Sequence, residues 1–333
     1  MQAMRLEQTG SIDERPLVYR ELAPPEAGDG EVRVQMHCCA ICRTDLHIVE
    51  GDLPQPKLPL IPGHQVVGTV DQCGPGVTSC STGDRVGIAW LRATDGTCLF
   101  CQRGRENLCK DARYTGYHAD GGYASFAVAP ADYVYRLPAS FNDAQAAPLL
   151  CAGLIGYRAL ERAKVPDGGR VLLVGFGSSA HIVMQLARHR QYTVDVLTRS
   201  PGHQAMAREL GAAWVGDDPE KLPQGIDSAV YFAPVGQLVP PVLAALRPGG
   251  TLSIAGIHLT PIPSLDYQKH LYYEKDIRSV TANTRADGRA LLEEAAAAQV
   301  VPHIASYELP QANEALSAMK HSRLDGTGVM WIS

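Results

Sequence analysis

The chain has 333 residues, more than one ordinary domain, and 45% of them are hydrophobic, enough for two separate cores. Thirty Lys and Arg against 35 Asp and Glu give a formal charge of -5 with no long single-sign block, which argues against nucleic acid or an anionic membrane surface as partner. No apolar run reaches the roughly 20 residues that span a bilayer, and residues 1–10 lack the basic-then-apolar pattern of an export signal, so the expected setting is the cytoplasm and the expected partner a small molecule. Nine cysteines, odd in number and clustered, point to reduced thiols and metal ligation rather than disulfides.

Residues 31–36 alternate Val32, Val34 and Met36 with Arg33 and Gln35, the period of a half-buried strand. Residues 66–70 and 85–89 read the same way, separated by Gly74-Pro75-Gly76 and Thr82-Gly83-Asp84, and Gly121-Gly122 introduces another strand at 123–128. Short strands between Gly and Pro turns predict a β-rich first domain. Near Asp143 the pattern changes. Asn142 or Asp143 caps a predicted helix through Ala144, Ala147 and Leu150 to Leu160, which places Cys151 on a helix. From Arg170 strands at 171–174, 193–197, 229–232 and 251–254 alternate with helices, the pattern of βαβ units in a doubly wound parallel sheet. A helix at 311–320 and a strand at 328–332 follow. The expected division is a first domain at 1–150, rejoined by 286–333, and a second at 151–285.

The run Cys42-Arg43-Thr44-Asp45-Leu46-His47 places a thiol, a hydroxyl, a carboxylate and an imidazole within six residues. A catalytic zinc takes three protein ligands and leaves a fourth position open, and two cysteines with one histidine form an established set. Cys42 is the first candidate. His64 in Pro62-Gly63-His64-Gln65 and Cys151 in Leu149-Leu150-Cys151-Ala152 are further candidates, and spacing alone does not decide the pairing.

Taken in order, Cys-Arg-Thr-Asp-Leu-His, Pro-Gly-His, Gly-Asp-Arg-Val, a second cysteine cluster, Cys151 and a glycine-rich turn resemble the zinc-dependent alcohol dehydrogenase family of the medium-chain dehydrogenase/reductase superfamily. The resemblance runs from Val32 to the C-terminus. It implies an α/β chain with a β-rich GroES-like catalytic domain and a doubly wound parallel-sheet Rossmann cofactor domain. It also implies that Cys42, His64 and Cys151 hold the catalytic zinc and that Asp45 orients His64 behind the metal. Thr44 would lie beside the alcohol oxygen and begin a proton path that His47 ends, a task suited to an imidazole titrating near neutrality. Where the family often has glutamate after the histidine, this chain has Gln65, a poorer zinc ligand, so metal exchange is expected to differ. Trp90 falls where the family places a pocket-lining aromatic. A flat wall there favours primary aliphatic or aromatic alcohols and their aldehydes.

The family's structural zinc lobe carries four cysteines spaced C-x2-C-x2-C-x7-C; here Cys98, Cys101 and Cys109 keep the last two spacings, and Asp95 stands first. A carboxylate binds zinc at about 2.0–2.2 Å, so Asp95 with three cysteines is expected to hold a structural zinc, with lower affinity than four thiolates. Cys73 and Cys80 read as packing or surface thiols.

The segment Val171-Leu172-Leu173-Val174-Gly175-Phe176-Gly177-Ser178-Ser179-Ala180 is a hydrophobic strand, a glycine turn and a helix start. Gly175 permits the tight turn, Gly177 lets a pyrophosphate approach the backbone, and Ala180 is the small residue that helix-to-strand packing needs. By resemblance, Arg43 reaches the same pyrophosphate. The tip of the next strand falls at Thr198, followed by Arg199, and a hydroxyl with a nearby arginine accepts a ribose 2′-phosphate, so NADP(H) is favoured over NAD(H). With a shifted register Asp195 becomes a ribose-binding acid and the preference reverses. Gly256, after the fifth strand, is expected to border the nicotinamide. Arg285 reads either as a cofactor contact or as half of a surface salt bridge.

The expected activity is hydride transfer between a nicotinamide cofactor and an alcohol or aldehyde, by a homodimer or homotetramer. A zinc-independent type of reductase of activated alkenes or imines is one alternative, but relatives of that kind lack the three ligands. A noncatalytic NADPH-binding or zinc-sensing protein is another, and it has no use for Thr44 and His47.

Overall fold

A computed structural model of the chain describes residues 1–54 and 57–332. It divides into two compact units, residues 1–152 with 282–296 and 302–333, and residues 153–281 with 297–301.

The first unit is built on a seven-stranded sheet in the order Ile304–Glu308, Thr327–Trp331, Glu31–Ala40, Val66–Cys73, Arg85–Ile88 and Val134–Arg136, with Phe126–Pro130 also paired to Glu31–Ala40. Pairing is antiparallel except between Ile304–Glu308 and Thr327–Trp331. Along Glu31–Ala40 the buried side chains are first Val32, Val34 and Met36, and then Cys38, Cys39 and Ala40 in succession. The alternation is that of a strand with one wet face; the buried run marks where the strand dives into the core. His37 is an extra residue in the ladder, since Met36 pairs with Gly68 and Cys38 with Val67. A short ribbon, Leu91–Ala93 with Arg113–Tyr114, carries a lobe with its own small core of Leu91, Cys109 and Ala112. An N-terminal hairpin, Gln2–Leu6 with Leu17–Glu21, also belongs to this unit; the sequence pattern did not mark it.

The second unit holds six parallel strands in the order Trp214–Gly216, Thr193–Leu197, Arg170–Val174, Ile226–Tyr231, Leu246–Ile254 and Asp276–Ser279. Numbered along the chain this is 3-2-1-4-5-6, the order of a doubly wound sheet. Its first strand is apolar at consecutive positions because both faces are covered: Val171, Leu172, Leu173 and Val174 are all fully buried. The helix Ser178–His189 lays Ala180, Ile182, Val183 and Leu186 into the core.

The helical run Asp143–Pro148, Leu149–Gly153 and Leu154–Ala163 is capped by Asn142, whose side chain accepts from Gln145 N–H while Gln145 bonds back, a capping box. Its middle segment is a π-turn containing Cys151. Among the described residues no helix is long and apolar enough to cross a membrane.

Leu172 lies at the centre of the second unit's core. Leu172→Ala is expected to destabilise that unit by about 2–5 kcal/mol, the cost of a buried leucine cavity. Limited proteolysis on a temperature ramp should then cut residues 153–281 earlier than in the parent while sparing the first sheet; an unchanged cleavage profile would refute this packing.

Candidate active site

Cys42 leaves the central strand in extended conformation and caps the helix Arg43–Glu50. Its Sγ accepts from Thr44 N–H at 3.4 Å, while its own N–H donates to Asp45 Oδ2 at 2.8 Å. Cys42 and Asp45 thus form a capping box with a thiol at the cap position. Asp45 is fully buried, and its other oxygen takes a bond from His64 Nδ1 at 2.9 Å. The Tyr123 hydroxyl donates to Asp45 Oδ2 at 3.1 Å. His64 is also fully buried, held by backbone that only glycine allows: Gly63 has φ +98, and a Cβ there would meet the Tyr123 ring at 2.4 Å.

With Nδ1 committed to Asp45, His64 presents Nε2 to Cys151 Sγ at 3.2 Å, and Cys151 Sγ lies 3.8 Å from Cys42 Sγ. Zinc–sulfur bonds of about 2.3 Å at a tetrahedral angle set two sulfurs about 3.8 Å apart, so the donors fit that ion. All three ligand atoms lie within 4.8 Å of one another. Electrostatics point the same way. The bond from Cys151 pulls the Cys42 thiol well below its ordinary range; burial opposes this, and His64 and Thr44 reinforce it. The Cys42 thiolate in turn raises Cys151, with burial adding to the effect. Burial disfavours His64 protonation, but the Asp45 carboxylate and Cys42 outweigh it and raise the imidazole to about 10. A bound dication would take the place of the protons that these groups otherwise share.

Gln65 is buried and uses both ends of its amide: Nε2 donates to Ile41 O at 3.0 Å and Oε1 accepts from Ala152 N–H at 3.3 Å. It stitches together the residues beside the two cysteines. Thr44 Oγ1 lies 3.5 Å from Cys42 Sγ. His47 Nδ1 pairs with Asp52 Oδ2 at 2.8 Å. Trp90 stands edge-on to His64, with ring centroids 4.9 Å apart, and stacks on Tyr114 at 4.7 Å and on Tyr117 at 6.0 Å. Motif spacing did not mark Gln65 as a bridge or single out Tyr114, Tyr117 and Tyr123, because their partners lie far off in sequence. The one available signal was the density of aromatic and glycine residues from Tyr114 to Tyr123.

A second group of possible ligands brings Asp95, Cys98, Cys101 and Cys109 within 4.8 Å. Asp95 Oδ1 accepts from Thr97 N–H and Cys98 N–H, both at 2.9 Å. The Cys98 amide first and the Thr97 amide next hold its carboxyl well below the usual range, so it is a ready anionic ligand. Arg285 is engaged within the same unit: its Nε donates to Glu106 Oε1 at 2.9 Å, and its guanidinium lies over the Tyr133 ring.

In the second unit Gly177 begins the helix Ser178–His189 with no side-chain cap, and a Cβ built on it would meet no protein atom within 4 Å. A helix N-terminus without a side-chain cap, beside open space, suits a phosphate. Ala180 is fully buried, Thr198 follows directly on Thr193–Leu197, Arg199 is exposed, and Gly256 lies just past Leu246–Ile254. Asp195 sits inside its strand opposite Leu172 and is paired with Arg170, Nε at 2.5 Å and Nη2 at 3.0 Å. Arg43, on the first unit, is exposed and donates to Met319 O at 3.4 Å.

Residues 28–139 match the alcohol dehydrogenase GroES-like domain. Over its whole length the chain is 48% identical to a probable alcohol dehydrogenase, AdhA, of Mycobacterium tuberculosis, covering 97% of that protein, and it is 35% identical over 95% of its length to an alcohol dehydrogenase of Geobacillus stearothermophilus, of which 96% is covered. Among solved structures, a cinnamyl alcohol dehydrogenase of Sorghum bicolor superposes with a TM-score of 0.89 at 28% identity, over 99% of this chain and 96% of that one. With likeness of this extent and the donor set in place, the chain belongs to the zinc-dependent alcohol dehydrogenase family of the medium-chain dehydrogenase/reductase superfamily.

Proposed function

We propose that Cys42, His64 and Cys151 bind the catalytic zinc of an alcohol dehydrogenase or aldehyde reductase, with the first unit catalytic and the second holding the nicotinamide cofactor. The observation that carries the assignment is the donor triad backed by Asp45, with spacings suited to tetrahedral zinc. Bound zinc supplies Lewis-acid polarisation of the substrate oxygen, and the nicotinamide supplies the hydride exchange. Asp45 fixes the His64 tautomer, Gln65 locks the two cysteine loops together, Thr44 hydrogen-bonds the reacting oxygen, and His47 takes the released proton. Alkene and imine reduction of the zinc-independent type finds no support in a chain that keeps all three ligands.

For substrate, the flat array of Trp90, Tyr114 and Tyr117 beside His64 supports primary aliphatic or aromatic alcohols and their aldehydes. The solved relative from Sorghum bicolor is named for a cinnamyl alcohol. For the lobe, Asp95 with Cys98, Cys101 and Cys109 supports a second, structural zinc. For the cofactor, the Arg170 pair consumes the one acid of the second strand, which leaves Thr198 and Arg199 at its tip and supports NADP(H). All nine cysteines are free, which supports a reducing, cytoplasmic setting.

The working form in this reading is a homodimer, or a homotetramer made from it. Asp276–Ser279 is an edge strand with Ile277 exposed, and Tyr267, Tyr272 and Tyr273 are exposed in the segment before it. Antiparallel pairing of two copies about Ile277 sets Asp276 opposite Arg278 twice, a self-complementary contact.

Metal analysis of the purified protein should give two zincs per chain. Cys42→Ala should abolish alcohol oxidation and remove one zinc while leaving cofactor binding intact; full turnover in that variant would sink the assignment. Initial rates of benzaldehyde reduction should favour NADPH over NADH, and Arg199→Ala should narrow the ratio about tenfold or more, the scale of one charge-assisted phosphate contact. Equal rates with both cofactors in the parent would reverse the cofactor reading. Sedimentation should show the parent as a dimer or tetramer and Ile277→Asp shifted toward monomer, and an unshifted assembly would place the interface elsewhere.

A further inference from the structure

Besides His47, the first unit pairs His37, His64 and His321 with carboxylates; the exposed His321 likewise meets its acid, Asp13, through one ring nitrogen. His64 has both ring nitrogens committed, to Asp45 and Cys151, and His37 has both committed, to Asp143 at 2.8 Å and Thr69 at 3.1 Å. His47 has one: Nδ1 meets Asp52 Oδ2 at 2.8 Å, and among the described residues Nε2 has no protein partner. The chain is shaped to make this contact. Gly51 ends the helix Arg43–Glu50 in the left-handed region with φ 81, which turns Asp52 back so that its N–H donates to His47 O at 2.9 Å. Backbone and side chain of Asp52 therefore grip the same histidine. The neighbouring acid, Glu50, is engaged elsewhere, accepting from Ile12 N–H at 3.0 Å and Lys320 Nζ at 2.9 Å. The His47 side chain is 20% exposed and that of Asp52 56%, so solvent reaches the pair.

We propose that Asp52 is the positioning residue for His47 in proton release, an inference that rests on His47 taking the proton lost by the alcohol. A carboxylate only accepts, so Asp52 fixes the neutral ring with its proton on Nδ1 and the lone pair on Nε2. When the alcohol is oxidised, the hydride goes to the nicotinamide and one proton must leave. Nε2 takes that proton and then gives it to water or buffer, while Nδ1–H stays on Asp52 and holds the ring in place throughout. The logic is that of a carboxylate orienting a catalytic imidazole, here at an exposed exit rather than at a nucleophile.

The test compares single-turnover alcohol oxidation by the zinc-loaded enzyme in dilute buffer. Asp52→Ala should slow it about 3- to 30-fold, part of the ~10²–10⁴ a general base contributes, with alcohol KM and cofactor affinity little changed. Concentrated imidazole buffer should restore the rate. Asp52→Asn, whose amide oxygen still accepts from Nδ1–H, should retain most of it. Imidazole ¹⁵N NMR should find the His47 proton on Nδ1 in the parent and redistributed to Nε2 in Asp52→Ala, a change that a general loss of packing does not produce. In a His47→Gln background Asp52→Ala should add nothing. A slow His47→Gln beside a parent-like Asp52→Ala would overturn the role of Asp52 and leave the relay standing, whereas a parent-like His47→Gln would overturn the relay itself. If Asp52→Asn is as slow as Asp52→Ala, charge rather than orientation is at work, and the positioning role fails.

Discussion

A single buried carboxylate, that of Asp45, organises the catalytic half of the molecule. It is fully buried, and it accepts from the His64 imidazole, the Cys42 amide and the Tyr123 hydroxyl. Such a charge persists inside a protein only where partners replace the water it has lost. The three partners come from three parts of the chain, and each bond fixes something the site needs: the tautomer and aim of His64, the extended backbone of Cys42, and the packing of Tyr123 against Gly63. Removing one partner of a buried pair of this kind costs about 3–5 kcal/mol, so the geometry is anchored by the protein before any metal contributes. Gln65 completes the frame by tying Ile41 to Ala152. An amide that donates at one end and accepts at the other does what a glutamate cannot, which gives the departure at this position a structural purpose.

The lobe follows the opposite logic. Asp95, Cys98, Cys101 and Cys109 lie within fifteen residues, between the two strands of a short ribbon, and the lobe's core has Leu91, Cys109 and Ala112 as its buried members among the described residues. So small a core stabilises little by itself, and a metal bound there would chiefly supply folding energy for the lobe. Asp95 Oδ1 caps the Thr97 and Cys98 amides, so the backbone holds the carboxylate beside the three thiols with which it would share a cation. Glu106 and Arg285 bind the lobe to a segment far along the chain, so its attachment does not rest on the cluster alone.

Local patterns were legible in the sequence wherever the physics is local. The alternation in 31–36, the apolar run at 171–174 and the Asn142 cap all became the expected elements, because strand period, double burial and capping are set by neighbours in the chain. The doubly wound order followed from alternating strands and helices. The N-terminal hairpin did not show, since Gln2–Leu6 is a short strand and a long connection with its own helical turn at Ile12–Glu14, rather than a tight turn, joins it to Leu17–Glu21. The site was legible through its ordered motif, yet the residues that support it were not: Tyr123 bonds Asp45 across 78 residues, Gln65 bonds Ala152 across 87, and Arg285 bonds Glu106 across 179. Contacts that long are consequences of the fold. Asp195 makes the same point in reverse, because its side chain is consumed by Arg170 inside the sheet and only the register of the strand shows it.

Two histidine–carboxylate pairs hang on the same short helix, and the contrast between them divides the chemistry. Asp45 and His64 are sealed from solvent, and every polar atom of that imidazole is used, so the ring is a rigid donor that cannot exchange protons with water. Asp52 and His47 sit near the other end of the helix, partly wet, with one ring nitrogen left over. A metal ligand needs the first condition and a proton carrier needs the second, because a ligand must keep its lone pair aimed while a carrier must be refilled from solvent between turnovers. A helix of about two turns is enough to separate the two environments, since a rise of about 1.5 Å per residue carries the chain from core to surface over that distance. In the proposed reading the run from Cys42 to Asp52 descends from metal to water, and Asp45 and Asp52 each hold a histidine suited to the depth at which it lies.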